Sequence, residues 1–385
     1  MELLTATQPA FLMNELFCSK IENLLNTVCI VQHLSRKKFV SAFILSLIKA
    51  RNVQFHLLAE ALNDTVKSSS NERRIQHFFQ QVNLDYEQLA LLLSSLLPRG
   101  KVTLCLDRTE WDFGACQVNI LVITAYCRGI GLPIYFEMLD NKSGNSSVED
   151  RTKLLQKCIH LLGHKRIEAL IGDREFIGEK FYKYLLVNKL NFYLRLRKNQ
   201  HLLVGGQTHT AESLLKNRNQ CFLDNIKISE FYLSVGLKKV KDKQGNEDYL
   251  VVLTNTYGHE SLEKYRYRWS IEVFFQSIKK RGFQLENTHL KKLDRLKKLF
   301  GLVCVAFALC ARLGMRHHDK VQKIKLKKND YPQKSFFRYG IDLLNDIFRK
   351  KIAEQKAEIE KLLSFLIRAV IIQQAKYQIL VNFVG

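Results

Sequence analysis

The first hundred residues place apolar side chains at three-four spacing, which predicts helices over 34–49 and 55–62. Residues 84–97 are Leu-rich without β-branched residues and predict another. The stretch 11–97 is therefore expected to be all-helical. Between two of its helices lies a Ser-rich turn, where Ser or Asn can cap a short helix. Its outer face would carry Arg73, Arg74, Gln76 and His77, with Ile75, Phe78 and Phe79 turned inward. A basic helix of this kind suits a DNA groove, and it equally suits a solvated face on a packed helix.

After Pro98-Arg99-Gly100 the rhythm changes. Short apolar runs at 102–106, 118–126 and 132–138, separated by Gly114, Gly129 and Gly131, predict a three-stranded meander. A helix capped by Ser146 or Ser147 follows, ending at Gly163. Next come a buried strand at 167–171 leading into Gly172-Asp173, a helix over 180–190 and a strand at 192–196. Three strands, helix, strand, helix, strand is the order of a ribonuclease-H-like α/β core. Residues 200–257 read as a β-rich insertion, with strands over 226–237, 238–241 and 249–253 around a turn at 244–246. The chain is helical again over 262–314 and 341–383, with basic stretches at 279–281, 291–298 and 317–328. The expected regions are a helical N-terminal domain (1–98), a core in two parts (99–199 and 258–316), the insertion (200–257) and a helical C-terminal region (317–385).

Charge narrows the function. Sixty Lys and Arg against 37 Asp and Glu leave a net charge of +23, which selects polyanionic partners. The apolar stretch 302–311 is too short to span a bilayer, so no membrane partner is expected. The start of the chain lacks a signal-peptide pattern, and a cytoplasmic location is expected. The nine cysteines contain no Cys-x-x-Cys pair and read as reduced core residues. The adjacent pair His317-His318 has the wrong spacing for zinc on a helix.

Three acids stand out by position. Asp107 and Asp173 each follow a buried strand, where carboxylates project together at one sheet edge. Glu272 lies on the helix after the insertion. At roughly 100° per residue, Tyr265, Arg268, Glu272 and Lys279 fall within a stripe of about 60°, backed by Ile271, Phe274, Phe275 and Ile278. Three converging acids can hold two divalent ions for in-line phosphoryl transfer. Taken singly, each acid also reads as a turn residue or a surface charge, and Arg268 with Glu272 as an ordinary i,i+4 pair.

Tyr265-x2-Arg268-x3-Glu272-x6-Lys279 resembles the Tyr-Arg-Glu-Lys signature of the insertion sequence four family of bacterial DDE transposases. Asp107-Arg108-Thr109-x-Trp111 and Asp173-Arg174-Glu175-Phe176 resemble its two Asp motifs, and Asn287-Thr288-His289-Leu290 its segment after the signature. The resemblance covers about residues 100–315. It implies a ribonuclease-H-like core interrupted by a β insertion and cut-and-paste transposition. Mg2+, replaceable by Mn2+, would be held by Asp107, Asp173 and Glu272. It also implies that Tyr265, Arg268 and Lys279 contact phosphates of the transposon end. The implied partners are double-stranded DNA, as terminal inverted repeats and target, and a second copy of the chain. Members of the family pass through a DNA hairpin aided by a tryptophan of the insertion. Here Trp111 and Trp269 lie outside it, leaving Phe222, Phe231, Tyr232 and Tyr249 as candidates. A non-catalytic DNA-binding descendant and a nuclease without strand transfer remain alternatives.

Overall fold

The computed structural model describes residues 8–63, 65–113, 116–139, 144–242, 244–349 and 353–384. Five helices open the chain: α1 (Gln8–Thr27), α2 (Leu34–Ala50), α3 (Phe55–Leu62), α4 (Ser68–Gln81) and α5 (Tyr86–Ser95). Then follow β1 (Val102–Phe113), β2 (Cys116–Cys127), β3 (Ile130–Met138), α6 (Val148–Leu162), β4 (Ile167–Gly172), α7 (Glu179–Val187) and β5 (Phe192–Arg195). The next stretch holds β6 (Leu202–Val204), β7 (Gln207–His209), α8 (Ala211–Leu215), β8 (Gln220–Ile228), β9 (Phe231–Lys241) and β10 (Glu247–Thr254). The chain ends with α9 (Gly258–Tyr265), α10 (Trp269–Gln276), α11 (Leu293–Lys320), α12 (Phe336–Arg349) and α13 (Ala353–Val384). The architecture is mixed α/β, with one large sheet and many helices.

Several elements differ from the sequence pattern. The first strand does not stop at residue 106 but runs on to Phe113 beside β2, beyond the last residue it pairs with β4. The single strand expected over 226–237 is a hairpin, β8 and β9. Ile228 pairs with Phe231 across a two-residue turn in which Ser229 adopts a left-handed φ of 53°. The expected Ser or Asn cap on α4 is absent: Lys67 holds that position and the serines fill the first turn. Asn71 is buried instead, its amide donating to the carbonyls of Ala59 and Asn63 at 3.0 and 2.9 Å. Ser147 does cap α6, in a reciprocal box with Asp150. The turn expected at Gly114 and the side chain of Cys116 lie outside the described residues. Of the other cysteines, six are buried, while Cys18 is half-buried and Cys29 exposed.

The chain divides into two compact units. The sheet unit comprises Pro98–Glu110 and Asn119–Val273. The sheet runs in the order β3-β2-β1-β4-β5-β10-β9-β8-β6-β7. β1, β4 and β5 are parallel, β2 and β3 antiparallel, and β10 turns antiparallel against β5. The strands after residue 200 thus continue the same sheet. Their contribution to the site is the seating of α9: a Cβ at Gly236 on β9 would come within 2.1 Å of the Ser261 hydroxyl.

The helical unit comprises Met1–Leu97, Trp111–Val118 and Phe274–Gly385. Its axis is α11, which by length and composition alone could cross a membrane, yet 94% of the apolar window is buried inside the protein. The rings of Phe274, Phe307 and Phe337 pack in series at 4.9 Å between centroids. α11 and α12 then meet backbone to backbone. A Cβ at Gly340 would sit 1.8 Å from the Cys310 carbonyl, and one at Gly314 would sit 2.0 Å from that of Phe336. The contact tolerates no methyl group without separating the helices. Gly340→Ala is expected to lower stability by about 3 kcal/mol or more in denaturant unfolding. Val187→Ala, at a position 71% exposed, is expected to change it by less than ~0.5 kcal/mol. Equal midpoints for the two variants would contradict this packing.

Candidate active site

The two aspartates are brought together by strand register. β1 and β4 run parallel, with Leu106 opposite Gly172 as the last matched pair. Asp107, within β1, and Asp173, just past the end of β4, are the next residue along each chain segment, on neighbouring strands spaced roughly 4.8 Å apart. The backbone N–H of the following residue, Arg108 or Arg174, donates to each carboxylate at 2.8 Å. Cys105 and Asp107 share one face of β1. Above Cys105 lies the segment 265–272, with the Tyr267 carbonyl 3.5 Å and the Ser270 hydroxyl 3.7 Å from its sulfur. Tyr267 stacks on Tyr126 of β2 at 4.0 Å between centroids and an interplanar angle of 8°. Gly131 of β3 permits the approach, since a Cβ there would come within 3.1 Å of the Ser270 carbonyl. Three strands thus fix the height and rotation of the segment that carries Tyr265, Arg268 and Glu272.

Those three side chains close over the aspartates. The Arg268 guanidinium lies 3.3 Å from Asp107 and 3.8 Å from Asp173, and its other nitrogen donates to Glu272. The Tyr265 hydroxyl donates to Asp173 Oδ1 at 3.3 Å, and its ring is buried. Five of the six residues read from the sequence as the reaction centre are therefore in one cluster. The helix is not uniform: a 3-10 turn over Arg266–Arg268 precedes α10 and a π turn over Ser277–Arg281 follows it. The single angular step assumed from the sequence does not hold across it. Lys279 lies in that π turn, within the helical unit, where it pairs with Glu286 at 2.8 Å and its ammonium lies 5.4 Å from the centre of the Trp111 ring.

Charge in the cluster is unbalanced. Three carboxylates face one guanidinium, and burial, reinforced by Asp173 and Glu272, pushes the Asp107 carboxyl up to about 7 against the pull of Arg268. Burial also raises the Tyr265 phenol, so it remains a proton donor. For Arg268, burial alone would lower the pKa, but Tyr265, Asp173, Asp107 and Glu272 outweigh it and hold the guanidinium charged. Among the described residues no three His, Cys, Asp or Glu side chains form a ready cation cage, and Arg268 stands among the acids. The donor set nonetheless fits a divalent cation: all three ligands are hard carboxylate oxygens, and one guanidinium leaves them short of positive charge.

A supporting network escaped the sequence reading, although its members lie beside the two Asp motifs. Arg108 binds Glu175 at 3.0 Å and Asn119 at 3.2 Å. Glu175 accepts from the backbone and hydroxyl of Ser146 at 2.9 and 2.8 Å, and Arg151 donates to the same hydroxyl at 2.8 Å. It ties the residues after both aspartates to the start of α6. On α4, Arg73, Arg74, Gln76 and His77 are exposed, while Ile75, Phe78 and Phe79 are buried. Lys298, in the basic stretch 291–298, is buried: it is 4% exposed and donates to the Phe79 carbonyl at 2.9 Å. Of the aromatic candidates in the β-rich stretch, Tyr232 is 67% exposed and Phe222 36%, while the Tyr249 hydroxyl is engaged by Glu247. Trp269, next to Arg268, is 58% exposed.

The raised Asp107 carboxyl has a consequence for stability. Between the ordinary value of 3.8 and about 7 the folded chain holds a proton that the unfolded chain has released. This contribution is fully present below the lower value and is lost as pH rises through the upper one. Thermal unfolding in chelator from roughly pH 4.5 to 8 is expected to show a falling midpoint in the wild type and a shallower fall in Asp107→Asn. Identical slopes would contradict the assignment.

Among solved structures, a piggyBac transposase synaptic complex with hairpin DNA is similar to this chain. The match covers 95% of this chain and 86% of that one, at a TM-score of 0.44 and 9% identity. No curated protein matches the chain. Residues 121–309 match the family model described as transposase DDE domain. The matched stretch contains Asp173, Tyr265, Arg268, Glu272 and Lys279 and begins after Asp107. That match supports a DDE transposase, a class whose members generally use divalent metal ions.

Proposed function

We propose that this chain is the transposase of a bacterial insertion sequence of the insertion sequence four type, built on a ribonuclease-H-like core. In this reading it cuts the element's ends by hydrolysis and joins the freed 3′-hydroxyl to target DNA. The observation that carries the proposal is the convergence of Asp107, Asp173 and Glu272, from two parallel strands and a helix, on the Arg268 guanidinium. The strand order β3-β2-β1-β4-β5 supports the core assignment.

In the first step a water oxygen bonds to phosphorus, the bond to the 3′-oxygen breaks, and the products are a 3′-hydroxyl and a 5′-phosphate. In the second, that 3′-hydroxyl bonds to a target phosphorus, and the target's own 3′-oxygen leaves with a proton. Asp107, Asp173 and Glu272 would hold Mg2+, or Mn2+ in its place, which when bound activates the attacking oxygen and stabilises the leaving one. Arg268 already lies among the acids, so a phosphate drawn to its guanidinium is delivered beside them. Tyr265, kept protonated, offers a directed hydroxyl, and Lys279 adds positive charge for the same strand. The exposed Arg73, Arg74 and Gln76 on α4 would read the terminal repeat within the N-terminal region, 1–98. Residues 200–257 would serve as the β insertion, and residues 317–385 would pair two protomers that bring two ends together.

A labelled duplex carrying the inverted repeat that flanks the gene tests this. With Mg2+ the wild type is expected to nick at the repeat boundary and to join the cut end to a second duplex. Glu272→Gln is expected to bind equally and cut at least ~100-fold more slowly. Specific binding without cleavage in Mg2+ or Mn2+ would contradict the enzymatic reading, and cleavage without joining would contradict transposition.

A further inference from the structure

The basic stretch after α11 is not a helix face. α11 ends at Lys320, and residues 322–333 fold back on themselves as a finger closed by a single antiparallel bridge. Leu326 bridges Pro332, flanked by Lys327 N–H to the Tyr331 carbonyl at 2.8 Å and Gln333 N–H to the Lys325 carbonyl at 2.9 Å. Its tip is a turn closed by Asp330 N–H on the Lys327 carbonyl at 3.0 Å, with Asp330 at a left-handed φ of 60°. The base is fastened within the helical unit. Ile324 is buried and donates its N–H to His318 Nδ1 at 2.9 Å, and the Tyr339 hydroxyl donates to the Gln322 carbonyl at 2.9 Å.

Alternation about the bridge sorts the finger's side chains. Lys325 and Lys327 share one face, joined by Tyr331 and Gln333 from across the bridge, while Leu326 and Pro332 take the other; before it, Lys323 is exposed and Ile324 buried. Lys323, Lys325, Lys327 and Lys328 are all exposed, and none of their side chains has a hydrogen-bond or ion-pair partner among the described residues. Tyr331 is 67% exposed beside them. A row of ammonium groups repeating at roughly 6.6 Å faces solvent, and among the described residues no carboxylate is ion-paired with it. Its electrostatic complement is a closely spaced line of anions, and DNA carries a phosphate every ~3.4 Å along each strand. Lysine is a compact point charge without the planar fork that reads base edges, so such a row distinguishes phosphates from water but not one sequence from another.

We propose that the finger at residues 322–333 grips the phosphate backbone of duplex DNA without regard to sequence. It supplies affinity for target or flanking DNA rather than recognition of the element's end. The inference rests on the transposase reading in requiring a DNA partner, but not on the cleavage chemistry. The test uses the full chain in chelator, with binding to a random-sequence duplex and to the terminal repeat followed by fluorescence anisotropy at several salt concentrations. The K323Q/K325Q/K327Q/K328Q variant is expected to lose at least tenfold in affinity for both duplexes alike. Its slope of log affinity against log salt should shrink by up to ~3.6, from four contacts at ~0.9 each. Its unfolding midpoint should match the wild type, because the four side chains are exposed. Unchanged affinity and slope would overturn the finger's role, as would a loss confined to the terminal repeat. A wild type that binds no duplex would overturn both this inference and the transposase reading, so the two failures are separable.

Discussion

The site is organised around one guanidinium. Arg268 reaches Asp107, Asp173 and Glu272 at once, and without it three carboxylates would stand together with no cation among them. Much of the sheet unit positions this contact. Parallel register sets the two aspartates side by side, and Gly131, Tyr126 and Cys105 hold the helical segment close enough for Arg268 to reach both. Burial, reinforced by Asp173 and Glu272, pushes the Asp107 carboxyl up to about 7 against the pull of Arg268. A cluster held folded yet short of positive charge is poised to take a further cation.

The sequence made the clustered residues legible because their signals are local. Asp107 and Asp173 follow apolar runs that are unmistakable, and parallel pairing then brings them together with no further information. Tyr265, Arg268 and Glu272 lie within eight residues of one another, a span over which the 3-10 turn shifts their facing too little to separate them. Lys279 lies further along, past the start of the π turn, where a fixed angular step no longer describes the helix.

What stayed hidden depends on tertiary partners. The break at Ser229 carries no Gly or Pro, so strand pattern alone ran β8 into β9. Lys298 looks like any surface lysine until the Phe79 carbonyl is placed against it. The salt-bridged link from Arg108 through Glu175 to Ser146 joins residues far apart in the chain. The lysine finger was visible only as charge. Its turn residues, Asn329, Asp330 and Pro332, are the local cue that separates a hairpin from a helix, and they lie at its tip and returning arm.

Anomalous scattering from Mn2+ bound to crystals of the protein with an uncleaved DNA end tests the central claim most directly. Manganese peaks ligated by Asp107, Asp173 and Glu272, with the Arg268 guanidinium turned to a DNA phosphate, are the expected result. Manganese bound elsewhere, with Arg268 still paired to all three acids in the presence of DNA, would contradict it.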